Sequence, residues 1–116
     1  MVRVIITENL KRSIGQQFKK QSIDIFNLML TLEDSPNKGK VVGNIGGILV
    51  KELKYQSYRF YFLVDGYKLK FLECDELQDL LIKFVRMSDK DKQQQTINQI
   101  KQVLRQLGPE GFAQPV

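Results

Sequence analysis

Hydrophobic residues change period along this chain, and each change predicts an element. Val2-Arg3-Val4-Ile5-Ile6-Thr7 is a short β-branched run and predicts a first strand. From there the apolar positions fall at Leu10, Ile14 and Phe18, one face of a helix for which Thr7 is a suitable N-cap. The opposite side carries Lys11, Arg12, Gln16, Lys19 and Lys20, so this helix is expected to be half exposed. "IDIFNLMLTLE" (23–33), preceded by Ser22 as a cap, is apolar nearly all round and predicts a second, deeply packed helix.

"DSPNKGK" (34–40) gathers the residues of a loop. From Val41 to Met87 the pattern becomes that of strands. "VVGNIGGILVKELKY" starts with scattered glycines and firms up, and "YRFYFLV-DG-YKLKFLE" places Asp65-Gly66, a strong hairpin signal, between two β-prone runs. "CDELQ" reads as a connection and "DLLIKFVRM" (79–87) as a further long strand. Ser88 and Asp91 match a capping box for a last helix. Its apolar stripe is Ile97, Ile100, Val103, Leu104 and Leu107, and Gly108-Pro109 stops it. The predicted order is β-α-α-β-β-β-α: an α+β domain over 1–108, with two N-terminal helices and a C-terminal helix on a single antiparallel β-sheet. Residues 109–116 are expected to form a loosely ordered tail.

Composition narrows the chemistry. With 116 residues there is room for one core, and a formal charge of +5 favours a polyanionic partner, either nucleic acid or an acidic protein segment. Lys51, Lys54, Arg59, Lys68 and Lys70 recur among aromatics on the predicted strands, where phosphate-binding cations would be held rigidly. Cys74 is the only cysteine and histidine is absent. Those two facts remove histidine-based triads, zinc hydrolase sites and Cys–His nucleophile pairs. No apolar run approaches the ~20 residues that span a bilayer, and the N-terminus lacks a signal-peptide pattern, so a cytoplasmic protein is expected.

The N-terminal strand, the helical pair, "GILVKELKYQSYRFYFLVDG" (47–66) and "IKFVRMSDKDKQQQTINQIKQVL" (82–104) together resemble the RelE/ParE toxin superfamily of toxin–antitoxin systems. The resemblance covers most of residues 1–107. It implies a RelE-like fold and one of two activities: ribosome-dependent cleavage of mRNA, as in the RelE branch, or gyrase poisoning, as in the ParE branch. The implied partners are a cognate antitoxin protein, the ribosome and mRNA, with no membrane, no metal and no small-molecule cofactor. Motif for motif, Arg59 takes the arginine that faces the scissile phosphate, and Lys54 the cation of the preceding strand. Glu52 takes an acid that serves some branches as general base, and Lys90 the basic position after the last strand, with Arg86 and Lys92 close by. Two features depart from the family pattern. Thr96 stands where RelE has a catalytic tyrosine, and "YKLKFLECDELQDLLIKF" is longer than the usual connection.

RNA cleavage through the neighbouring 2′-hydroxyl needs a base, an acid and cations around the phosphorane. The candidate catalytic set is Arg59, Lys54, Glu52 and Lys90, with Lys51, Arg86, Lys92 and Tyr61 as nucleic-acid contacts. Strand alternation puts Glu52 and Lys54 on one face, and Arg59 and Tyr61 on one face, without showing that the two faces are the same. Each residue also has a plainer role: Lys51 and Lys54 as solvated or edge-protecting lysines, Glu52 as an ion-pair partner, the tyrosines as packing groups, Cys74 as an inert thiol. On that basis the rival reading is a non-catalytic basic module that binds nucleic acid or a protein on the same fold.

Overall fold

Thr7 ends the first strand and opens the first helix. In the computed structural model, which describes residues 2–45, 47–87, 94–95 and 97–102, β1 spans Arg3–Ile6 and α1 spans Glu8–Phe18. The Thr7 hydroxyl accepts from the Leu10 amide at 3.3 Å as an N-cap, and Leu10, Ile14 and Phe18 are buried as their spacing predicts. Lys19 leaves the helix with a positive φ, and a single 3-10 turn leads into α2 (Ser22–Leu30). Only one side of α2 is covered. Ile25 and Met29 are fully buried, whereas Ile23 is 65% and Leu30 44% exposed, so the expectation of deep packing is corrected for this helix.

Four strands follow: β2 (Lys40–Ile45), β3 (Ile48–Tyr55), β4 (Tyr58–Asp65) and β5 (Lys68–Phe71). The glycine-rich stretch is thus two strands, with Gly47 at positive φ just before the second. The next hairpin turns at Gln56-Ser57. At the third, Asp65 is the last paired residue and Gly66-Tyr67 form the two-residue loop, with Gly66 alone at positive φ as a II′-type turn requires.

The strand order is β1-β5-β4-β3-β2. The three hairpins are antiparallel, but β1 pairs with β5 in parallel, Arg3 opposite Lys68 and Ile6 opposite Phe71. An antiparallel-only sheet is therefore corrected to a mixed one. The two helices carry the chain across the sheet to β2 at the far edge, and the three hairpins then bring β5 back beside β1, running the same way.

A second correction concerns 79–87, predicted as a strand. They belong to α3 (Cys74–Met87). Leu77 and Leu81 are buried on one side, four residues apart, and the Glu76 carboxylate accepts from the Glu73 amide at 3.1 Å, the N-terminal half of a capping box. The acidic residues of "CDELQ" are thus the first turn of a helix, where negative charge suits the dipole. Residues 97–102 are helical, with Ile100 buried; the predicted cap at Ser88 and Asp91 and the tail lie outside the described residues.

Alternation along the strands divides the core in two. Leu53, Phe60, Phe62, Leu69 and Phe71 face α1 and α2, while Val50, Tyr61 and Leu63 face α3 and Ile100. The result is an α+β domain whose mixed five-stranded sheet carries helices on both faces.

Candidate functional site

The two pairs of site residues that alternation left unrelated lie on one face. In the β3–β4 ladder Glu52 is opposite Tyr61 and Lys54 is opposite Arg59. All four side chains therefore stand on the α3 side of the sheet, at the end of the β3–β4 hairpin that turns at Gln56-Ser57. Lys40 joins them because β2 pairs it with Glu52, in the short stretch of ladder before the bulge at Val42.

These residues border an open cleft of about 410 Å³ lined by Lys38, Gly39, Lys40, Glu52, Leu53, Lys54 and Arg59. Its electrostatics are lopsided. Glu52 Oε2 is 3.8 Å from the Arg59 guanidinium, and among the described residues the only other ion pair is Lys11–Glu8. Lys38, Lys40 and Lys54 are exposed and, among the described residues, have no carboxylate in ion-pair contact. The Glu52 side chain is 7% exposed and that of Arg59 28%, so the anion lies in the floor and the cation reaches the opening. Arg59 Nε is buried without a hydrogen-bond partner among the described residues. Below them, Tyr61 is almost wholly buried, and its phenol is held above its ordinary pKa, first by burial and then by the Glu52 charge. Arg59, which donates a hydrogen bond to it, partly offsets the rise.

Gly39 is what lets the 34–40 loop reach this place. Its φ is +95°, and an added Cβ would come within 2.9 Å of the Glu52 carbonyl oxygen and 3.0 Å of the Phe62 ring. The loop is held from the other side by Lys51. That lysine faces α1 and α2, not the cleft; its ammonium donates to the Asn37 carbonyl at 3.3 Å and sits 5.8 Å from the centre of the Phe62 ring. Lys51 thus shapes the cleft by ordering the loop and does not line it. Arg86 is in the last turn of α3, and Lys90, Lys92 and Thr96 lie outside the described residues. Lys68 and Lys70 form a separate basic group on the same face, at the β1–β5 side. Lys38 and Lys40 are cleft residues that sequence reasoning passed over as loop. The signal was a lysine on each side of a glycine next to a strand.

No family model, no curated protein and no solved structure matches the chain. Among the described residues no helix is long and apolar enough to cross a membrane. The cleft's own groups are three exposed ammonium ions, one guanidinium and a carboxylate, arranged about an opening of a size to admit a phosphodiester.

Proposed function

We propose that this chain is a RelE-like toxin of a toxin–antitoxin pair, an endoribonuclease that cuts mRNA on the ribosome. The observation that carries the proposal is the convergence of Glu52, Lys54 and Arg59 on one basic cleft. Arg59 would bind two phosphate oxygens, and Lys38 and Lys40 the flanking backbone. Glu52 would take the proton of the 2′-hydroxyl as its oxygen attacks phosphorus. Lys54 would give a proton to the departing 5′-oxygen, leaving a cyclic phosphate and a free 5′-hydroxyl. With the base low in the cleft and paired to Arg59, substrate must be pressed into place, which is what ordering of mRNA by the ribosome would supply. The β-α-α start, the antiparallel meander and the helix after it are the elements a RelE-like chain would share.

The test is a comparison of purified protein on naked mRNA and on mRNA held in programmed ribosomes, with the cut ends mapped. Cleavage on ribosomes, feeble cleavage of naked RNA and loss of both in Arg59→Ala are expected. Robust cleavage of naked RNA would reject the ribosome requirement. One observation favours a second reading: Glu52 is already engaged by Arg59 and scarcely exposed. On that reading the cleft binds a polyanion without cutting it. Salt-sensitive RNA binding with no cleavage on ribosomes would select it.

A further inference from the structure

The two edges of the sheet are unlike. The β2 edge is broken by the bulge at Val42 and carries Gly43 and Lys40, features that discourage pairing. The β1 edge is an unbroken run, Arg3-Val4-Ile5-Ile6. In its parallel ladder with β5, the Arg3 amide donates to the Tyr67 carbonyl at 2.7 Å and the Thr7 amide to the Phe71 carbonyl at 3.1 Å. Alternation then turns the N–H and C=O groups of Val4 and Ile6 outward, and no turn, loop or cap hydrogen bond among the described residues takes them.

Grooves flank this edge on both faces of the sheet. On the α1/α2 side, Val4, Ile6, Phe26 and Leu30 line a groove of about 290 Å³ with Lys11 at its margin. Exposed Ile23 extends the same apolar stripe of α2, at helical spacing from Phe26 and Leu30. On the α3 side, Ile5, Ile48, Leu63 and Leu80 floor a groove of about 260 Å³ whose margin is Asp65, Lys68 and Lys70. Arg3, opposite Lys68 in the ladder, points to that same face. At this margin three cations stand against Asp65, with Glu76 and Asp79 of α3 beyond Lys70, and none of Arg3, Asp65, Lys68 and Lys70 is in an ion pair among the described residues.

We propose that the β1 edge is a docking site for an extended segment of another protein that alternates apolar and acidic residues and adds beside β1 as a further strand. Main-chain bonds to Val4 and Ile6 would hold it. Its apolar side chains would fall toward Phe26 and Leu30, and its carboxylates toward Arg3, Lys68 and Lys70. Charge selects this occupant over a second copy of the chain: β1 itself offers Arg3 and no acid, so like charges would meet along a β1–β1 seam. The inference is independent of the cleavage reading, since it uses no residue of the cleft.

The experiment uses the full chain and fluorescent peptides alternating valine with glutamate, the same peptide with lysine for glutamate, and an N-methylated form. Anisotropy reads binding, and hydrogen exchange reads the Val4 and Ile6 amides. The glutamate peptide is expected to bind at least about tenfold more tightly than the lysine peptide, a difference of ~1.4 kcal/mol. It should slow exchange at both amides and lose binding on N-methylation. Charge reversal in the exposed pair, Lys68→Glu with Lys70→Glu, should invert the peptide preference, while Arg59→Ala should leave it unchanged. Equal binding of both peptides, or binding with no change in exchange at Val4 and Ile6, would overturn the proposal. So would loss of binding in Arg59→Ala, which would place the peptide in the cleft. Concentration-dependent self-association that protects the same amides would assign the edge to a second copy instead.

Discussion

Glu52 and Arg59 form their ion pair diagonally: each is opposite another residue in the ladder, Tyr61 and Lys54, yet their charged ends approach to 3.8 Å. Glu52 has little access to water, so Arg59 is its main compensation. Arg59→Ala is therefore expected to lower stability by about 1–2 kcal/mol in urea unfolding, below the cost of breaking a wholly buried pair because Arg59 is partly solvated. Glu52→Gln in the same chain should restore part of that loss. On ribosome-bound mRNA, Arg59→Ala should cost on the order of 100-fold in cleavage, as for removal of an oxyanion donor. Arg59→Lys should recover only part, because an ammonium cannot make the paired phosphate contact.

Lysines that line the cleft should be separable from the one behind it. Lys54→Ala and Lys40→Ala are each expected to reduce the salt slope of single-stranded RNA binding by about 0.7. Lys51→Met should leave that slope unchanged and lower stability by about 1 kcal/mol through loss of its bond to the Asn37 carbonyl. A Lys51→Met slope change equal to that of Lys54→Ala would put Lys51 on the RNA path.

Gly39→Ala combines a positive φ with a close approach to the Glu52 carbonyl oxygen. A loss of roughly 1–3 kcal/mol is expected, measured by thermal or urea unfolding. RNA binding should weaken as well, since Lys38 and Lys40 move with this residue. Gly66 also has a positive φ, but a Cβ there meets nothing within 4 Å, so Gly66→Ala should cost only the conformational strain, roughly 1–2 kcal/mol, and leave RNA binding intact.

Tyr61 sets an alkaline limit. Its folded pKa lies above the ordinary value of 10.0, so the folded state holds its phenolic proton after the unfolded chain has lost it. The stability this contributes is fully present below about pH 10 and falls as pH rises through the folded pKa. Urea unfolding across that range should show a decline that Tyr61→Phe reduces, and the Tyr61 phenolate should appear late in an ultraviolet titration. An unchanged alkaline decline in Tyr61→Phe would assign it to other groups.

The sheet region was legible wherever one residue type settles local geometry. Gly66 marked its hairpin, although the paired register moved the loop one residue on from Asp65-Gly66, and Thr7 marked its cap. Residues 79–87 were misread because Leu80-Leu81-Ile82 is a continuous apolar run, which suits a buried strand or a helix equally. The deciding signal lay upstream, in Glu73 and Glu76 at capping spacing within what looked like a connection. For the site, alternation related Glu52 to Lys54 and Arg59 to Tyr61, but only the turn at Gln56-Ser57 fixes how β4 lies on β3. A register shifted by one would have set the pairs on opposite faces. Lys38 and Lys40 were hidden for another reason: their place depends on the backbone path through Gly39, which no periodicity encodes.

The parallel pairing of β1 with β5 also has a consequence in time. Each hairpin joins neighbours in sequence and can close as soon as its two strands exist, whereas Arg3 must find Lys68 across most of the sheet-forming chain. The strand synthesised first is thus the one seated last, and until residue 71 is available β1 has no partner. Closing so long a loop is paid for before any ladder bond returns it, so β1 docking is expected to limit the folding rate while the β2–β5 meander forms early. During that interval β5 stands as an open edge, and the apolar residues of α1 have only part of the surface they finally cover.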